Sequence, residues 1–105
     1  MGMQARITQF HIRAGKLEDF VEAVDSMVPL MRQQKGFRGV LVLRGESASS
    51  PEATVISAWD SLDSLRASEE NLYFYRAMAR VLAFSDGFPA VSEQQILASE
   101  FPFGH

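Results

Sequence analysis

The sequence predicts an α+β fold in the order β-α-β-β-α-β, a ferredoxin-like protomer whose four-stranded antiparallel sheet carries its helices on one face. Three observations carry that expectation. Runs rich in β-formers recur at 4–12, 39–45, 53–59 and 91–101. Apolar residues recur at helical spacing over 16–32 and again over about 71–84. Segments with turn chemistry, "RAG", "ESASSPE" and "SDGFPA", separate them. At 105 residues, 47% of them apolar, residues 1–105 read as one domain able to bury a core.

In "QARITQFHI", residues 4–12, the side chains of Arg6, Thr8, Phe10 and Ile12 share one face and those of Ile7, Gln9 and His11 the other. The first helix follows, with Leu17, Phe20, Val21, Val24, Met27, Val28 and Met31 forming one stripe. Glu18 and Asp19 lie near its N-terminus, where the helix dipole favours negative charge. Pro29 removes one backbone bond and is expected to loosen the last turn, and Gly36 supplies a stop. "GVLVLRG" is apolar on both faces, and "ATVISAW" is the third strand. Asp60 or Ser61 can cap the short helix "LDSLRAS". The next helix contains "ENLYFYRAM", which reads like a protease tag but sits inside a hydrophobic pattern. At 100° per residue, Leu72, Phe74, Tyr75, Met78, Ala79, Val81, Leu82 and Ala83 form one broad arc. That plot turns Phe74 and Tyr75 toward the sheet and Tyr73, Arg76 and Arg80 outward. "VSEQQILASEF" is the last, partly alternating strand.

Helices on one face leave the other face of the sheet open, and an open face should alternate toward polar residues. The second strand does not: Val40 and Val42 point one way, Leu41 and Leu43 the other. The expected remedy is a homodimer, sheet against sheet, with Phe101 and Phe103 of the tail reaching over the partner.

Composition excludes several functions. The net charge is −3 and no basic run occurs, so neither nucleic acid nor an anionic membrane is an expected partner. The absence of cysteine removes disulfides, thiolate metal sites and a cysteine nucleophile. His11 and His105 cannot make a locally spaced metal pair, so no metal is expected. No P-loop follows the first strand, and no nucleophile elbow is present. The N-terminal residues lack a cationic segment followed by a long apolar one, which makes the cytoplasm the expected location.

The element order, "QKGFRGVLVLRG" leading into the second strand and "VISAWDSLDSLRAS" leading out of the third together resemble the antibiotic biosynthesis monooxygenase family over about residues 4–101. The most specific part is the strand-ending Trp59, followed by an acidic residue, Ser61 and the "SL" helix start. The resemblance implies a dimeric α/β barrel with a pocket between sheet and helices, into which Trp59 projects. The family includes cofactor-free oxygenases of phenols and quinols, haem-degrading oxygenases, and members without known activity. This chain has Ser68 where many members carry histidine. Thr8 stands where the haem-degrading branch has asparagine, and no histidine lies between residues 69 and 84. No cofactor is therefore expected, haem included.

Two functions follow as expectations. One is a cofactor-independent monooxygenase acting on a small electron-rich aromatic of phenol or quinol type. The alternative is a non-catalytic dimeric α/β barrel that binds a small ligand or is purely structural. For the first, Trp59 and Tyr75 are the candidate catalytic residues, Trp59 as an aromatic wall and Tyr75 as a hydroxyl donor that orients the ligand. Thr8, Phe74, Met78 and Arg76 are the candidate substrate contacts, Arg76 at the rim as a counter-charge to an enolate. Each also has a structural reading: packing for the apolar and aromatic groups, and a solvated face for Arg76 with Arg80 and Glu69. His11 could act as a base near neutral pH, but its strand face points it toward the dimer rather than the pocket.

Overall fold

A computed structural model describes residues 2–45 and 51–100. The elements run β1 (Gln4–His11), α1 (Leu17–Arg32), β2 (Phe37–Arg44), β3 (Glu52–Trp59), α2 (Leu62–Glu69), α3 (Leu72–Leu82) and β4 (Ala90–Gln95). The strands form one antiparallel sheet in the order β2-β3-β1-β4. This is the expected ferredoxin-like arrangement, with a short helix ahead of the second long one. The tail residues Phe101 and Phe103, and most of the "ESASSPE" loop, lie outside the described residues.

The period-2 pattern sorts the sheet into two faces. Arg6, Thr8, Phe10 and Ile12 point to the helices, joined by Ala53, Val55, Ser57 and Trp59 of β3 and by Val40 and Val42 of β2, as the register Val40↔Ser57 and Val42↔Val55 requires. The core lies on this side: Phe10, Ile12, Phe20, Ala23, Val24, Ala53 and Val81 pack as one buried cluster. Phe20 is fully buried and meets Phe10 edge to face at 5.0 Å between ring centroids.

Helix α1 continues through Pro29 to Arg32. Its end tightens, with the Gln33 N–H donating to Leu30 O at 3.2 Å, before Gly36 reverses the chain at φ +84°. A side chain at Gly36 would strike Ser64, and the Gly36 carbonyl accepts the Asp60 N–H at 2.8 Å. That close approach seats α2. Of the two possible caps, Ser61 serves: its Oγ accepts the Ser64 N–H at 3.1 Å.

Two expectations change. The last strand ends at Gln95 rather than running to 101, because its partner β1 begins at Gln4, which pairs with Gln95. The burial phase of α3 also differs. Its buried line is Ala77 and Val81, flanked by half-buried Tyr73, Phe74, Met78 and Leu82, while Leu72 and Tyr75 are each 62% exposed. Tyr73 and Tyr75 sit on opposite flanks of that line. The Tyr73 flank is covered by α2, and the Tyr75 flank is open. Ala77 and Val81, rather than the larger aromatics, mark the buried phase of the helix.

Candidate functional site

The cavity between the sheet and the helices is built from alternate strand residues below and helix residues above. Arg6, Thr8 and Phe10 of β1 and Val55, Ser57 and Trp59 of β3 form its floor. Val24, Met27 and Met31 of α1 close one side. Leu65, Ser68 and Glu69 of α2 and Tyr73, Phe74, Met78 and Val81 of α3 close the rest. It encloses about 50 Å³.

Trp59 is 3% exposed and bounds this space. Its indole N–H donates to Ser57 Oγ at 2.9 Å, and its ring meets Phe37 edge to face at 5.4 Å. The irregular register between Phe37 and Gly39 brings Phe37 opposite Trp59. Trp59 is thus a fixed wall whose donor is already engaged. Thr8 is buried on the floor, and Phe74 and Met78 line the space from α3.

Tyr75 and Arg76 are not in the cavity. Both are exposed on the outer side of α3, so the expected placement of Tyr75 as an inward donor and of Arg76 at the rim is corrected. The tyrosine on the cavity wall is Tyr73, its hydroxyl hydrogen-bonded to Ser68 Oγ. Burial raises the Tyr73 hydroxyl above its ordinary pKa, with the Ser68 hydrogen bond acting against that rise. His11 lies exposed on the opposite sheet face, as its register implies. Arg80 donates to Ser26 Oγ at 2.9 Å across the two long helices.

The charged groups of the site are Arg6 and Glu69. Arg6 shares the inward face of β1 with Thr8 and Phe10, and Glu69 ends α2 directly above it. Arg6 Nε lies 2.7 Å from Glu69 Oε2 as an ion pair, yet among the described residues that N–H has no acceptor in good hydrogen-bond alignment. The guanidinium carbon stands 4.6 Å from the centroid of the Phe74 ring, a cation–π contact. Glu93 of β4 is the register partner of Arg6 and is itself 3.5 Å from Arg66 Nη2. Burial lowers the Arg6 pKa, partly offset by Glu69 and Glu93. Burial raises that of Glu69, partly offset by Arg6. Strand parity alone marks Arg6 as a charge on an otherwise inward face, whereas the sequence groups Glu69 with the solvated face of Arg76 and Arg80. Among the described residues, no group of three or more His, Cys, Asp or Glu could hold a metal ion. No described helix is long and apolar enough to cross a membrane.

The two tyrosines can be told apart experimentally. Tyr73→Phe removes the partner of the buried Ser68 hydroxyl and should cost about 1–3 kcal/mol. Tyr75→Phe keeps the edge contact with Phe74 (6.0 Å) and should stay within about 0.5 kcal/mol of the parent. Urea melts of the two variants check this, and equal losses would contradict the assignment.

Solved structures share the fold. One from Bordetella bronchiseptica, named for the antibiotic biosynthesis monooxygenases, superposes with a TM-score of 0.80 at 23% identity, covering 93% of this chain and 100% of its own. A Caulobacter crescentus protein named likewise gives 0.80 at 16% identity, with 92% of each chain covered. SnoaB from Streptomyces nogalater, named as a cofactor-independent oxygenase and solved as a point variant, gives 0.80 at 15% identity, covering 94% and 97%. At these identities the likeness establishes the fold. No curated protein sequence matches the chain. The sequence model that does match, over residues 3–80, takes in β1, the Trp59 strand end, α1, α2 and most of α3, and on that match the chain belongs to the antibiotic biosynthesis monooxygenase family.

Proposed function

We propose that this chain is a cofactor-independent monooxygenase acting on a small electron-rich aromatic of phenol or quinol type. The observation that carries the reading is a charged pair, Arg6 and Glu69, set into the wall of an otherwise largely apolar and aromatic cavity. Burying charge is costly, and a purely structural core is better served by apolar residues of similar volume. Convergent polar groups with shifted pKa values in an apolar pocket are instead the pattern of a binding or catalytic site. In the reaction, a phenol loses its O–H proton and one ring C–H and gains a carbonyl. The substrate gives up four electrons and dioxygen takes four, one oxygen atom entering the ring and the other leaving as water. The protein's part is to exclude water, hold the ring against Trp59 and Phe74, and meet the developing oxyanion with fixed charge. Homodimer formation through the open sheet face and residence in the cytoplasm belong to the same proposal.

One observation favours the alternative, a barrel without catalysis. The cavity encloses about 50 Å³, against roughly 150 Å³ for a protein cavity that takes up benzene. A ring enters only if Met27, Met31 and Met78, flexible and unbranched, move aside. Oxygen uptake with a dihydroxy-aromatic or anthrone-like compound, without added flavin or metal, tests the first reading. Trp59 fluorescence reports binding independently. Quenching with uptake supports the monooxygenase, quenching without uptake supports the binding barrel, and neither result would leave the cavity a packing defect.

A further inference from the structure

Resting on the phenolic reading of the cavity, we propose that Arg6 and Glu69 work as an acid–base pair: Glu69 takes the hydroxyl proton of the ligand, and Arg6 holds the aryloxide that results. The geometry points to this division of labour. Among the described residues, Glu69 is the only carboxylate on the cavity wall, and Arg6 the only cation. Their ion pair is close but misaligned, so among the described residues the Arg6 Nε–H has no well-aligned acceptor. An aryloxide oxygen arriving beside Arg6 would supply one. The Phe74 ring of α3 packs on the guanidinium, its centroid 4.6 Å from the guanidinium carbon.

The step balances without any further reagent. The ligand O–H bond breaks, its electron pair stays on oxygen, and the proton forms a new O–H bond on a Glu69 carboxylate oxygen. Negative charge passes from Glu69 to the ligand while Arg6 stays positive, so the net charge of the cavity is unchanged and no ion crosses from water. The surrounding charges suit this exchange. Glu93 faces Arg6 from β4 and disfavours a second carboxylate charge nearby, while Arg66 partly neutralises Glu93. Burial raises the Glu69 pKa, which makes the carboxylate a stronger proton acceptor. The Tyr73 hydroxyl, held by Ser68, stays neutral and leaves the proton to Glu69.

The test uses 4-nitrophenol, whose aryloxide has its own visible absorption band and whose nitro group withdraws the electron density that oxidation needs. Binding is read by Trp59 fluorescence at pH values below the acid range of the probe and above that of Glu69. Wild type should bind the probe as aryloxide, with an affinity that does not change with pH, since the proton stays on the protein. Glu69→Gln should still show the aryloxide band, but its affinity should rise about tenfold per pH unit, because the proton now leaves to solvent. Arg6→Gln should lose the band, and Arg6→Lys, which keeps the charge, should retain it. The wild-type pH slope needs no variant to be read. Binding without the aryloxide band overturns the proposal and leaves the phenolic reading standing. A wild-type slope of about tenfold per pH unit shows the proton going to water and overturns the role of Glu69. No quenching of Trp59 overturns the phenolic reading, and the proposal with it.

Discussion

Leu41→Asp should convert the protein from twice to once its chain mass of 11.7 kDa in solution while leaving each chain folded. The face that Leu41 occupies is the one the helices leave open. Across it, Leu41 pairs with Ile56 and Ile56 with Ile7, so three branched aliphatic side chains stand in one row. Leu43 and Thr54 flank that row on one side, Ala58 and Ala5 on the other. Each of the three larger side chains contributes about 1.5–3 kcal/mol if a second copy covers it fully. A two-fold partner would bring the same row against itself, so one substitution enters the interface twice. An unpaired carboxylate buried there costs several kcal/mol per ion, more than a row of this size can offset. In a lone chain the same aspartate would face water and cost little. Val42→Asp is the contrasting case. Val42 points to the helices and packs on the core cluster, so aspartate there should unfold the chain whatever its assembly state. Light scattering and circular dichroism at micromolar concentration separate the two variants. A wild-type protein that is already monomeric, or a Leu41→Asp variant that stays dimeric, would remove this face as the interface.

Much of the fold was legible because hydrophobic periodicity is local. The α1 stripe and the β1 alternation needed only neighbouring residues, and their observed bounds differ by a residue or so. What was not legible depends on partners remote in sequence. The end of β4 is set by where β1 begins, and nothing within "VSEQQILASEF" records that. The side of α3 that Tyr73 occupies is covered by α2, so the choice between Tyr73 and Tyr75 rested on a packing contact that a helical plot does not contain. Trp59, Thr8, Phe74 and Met78 reach the cavity because strand parity and helix phase place them there. Arg6 was visible on the same strand face as Thr8. Its meaning depended on Glu69, which only the docking of α2 over β1 brings within 2.7 Å.

Leu65→Ala should lower stability by about 2–5 kcal/mol and at the same time improve the binding of a small phenol. Leu65 is fully buried, one turn into α2, and forms part of the wall that Trp59 also bounds. Removing its branched end deletes contacts on the core side and adds the vacated space to a cavity that is tight for a ring. For a domain of this size the loss shifts the melting temperature on the order of 10 °C or more. It approaches the whole stability of a marginal domain, which is about 5–15 kcal/mol. Ligand binding to the folded state alone returns stability by mass action, about 2.7 kcal/mol at a hundredfold excess over the dissociation constant. Phenol should therefore raise the melting temperature of Leu65→Ala more than that of wild type, and it should quench Trp59 in the variant at lower concentration. If the variant loses stability but phenol neither rescues it nor reaches Trp59, the vacated space has collapsed or lies away from the indole. The aromatic ligand would then have to be placed elsewhere.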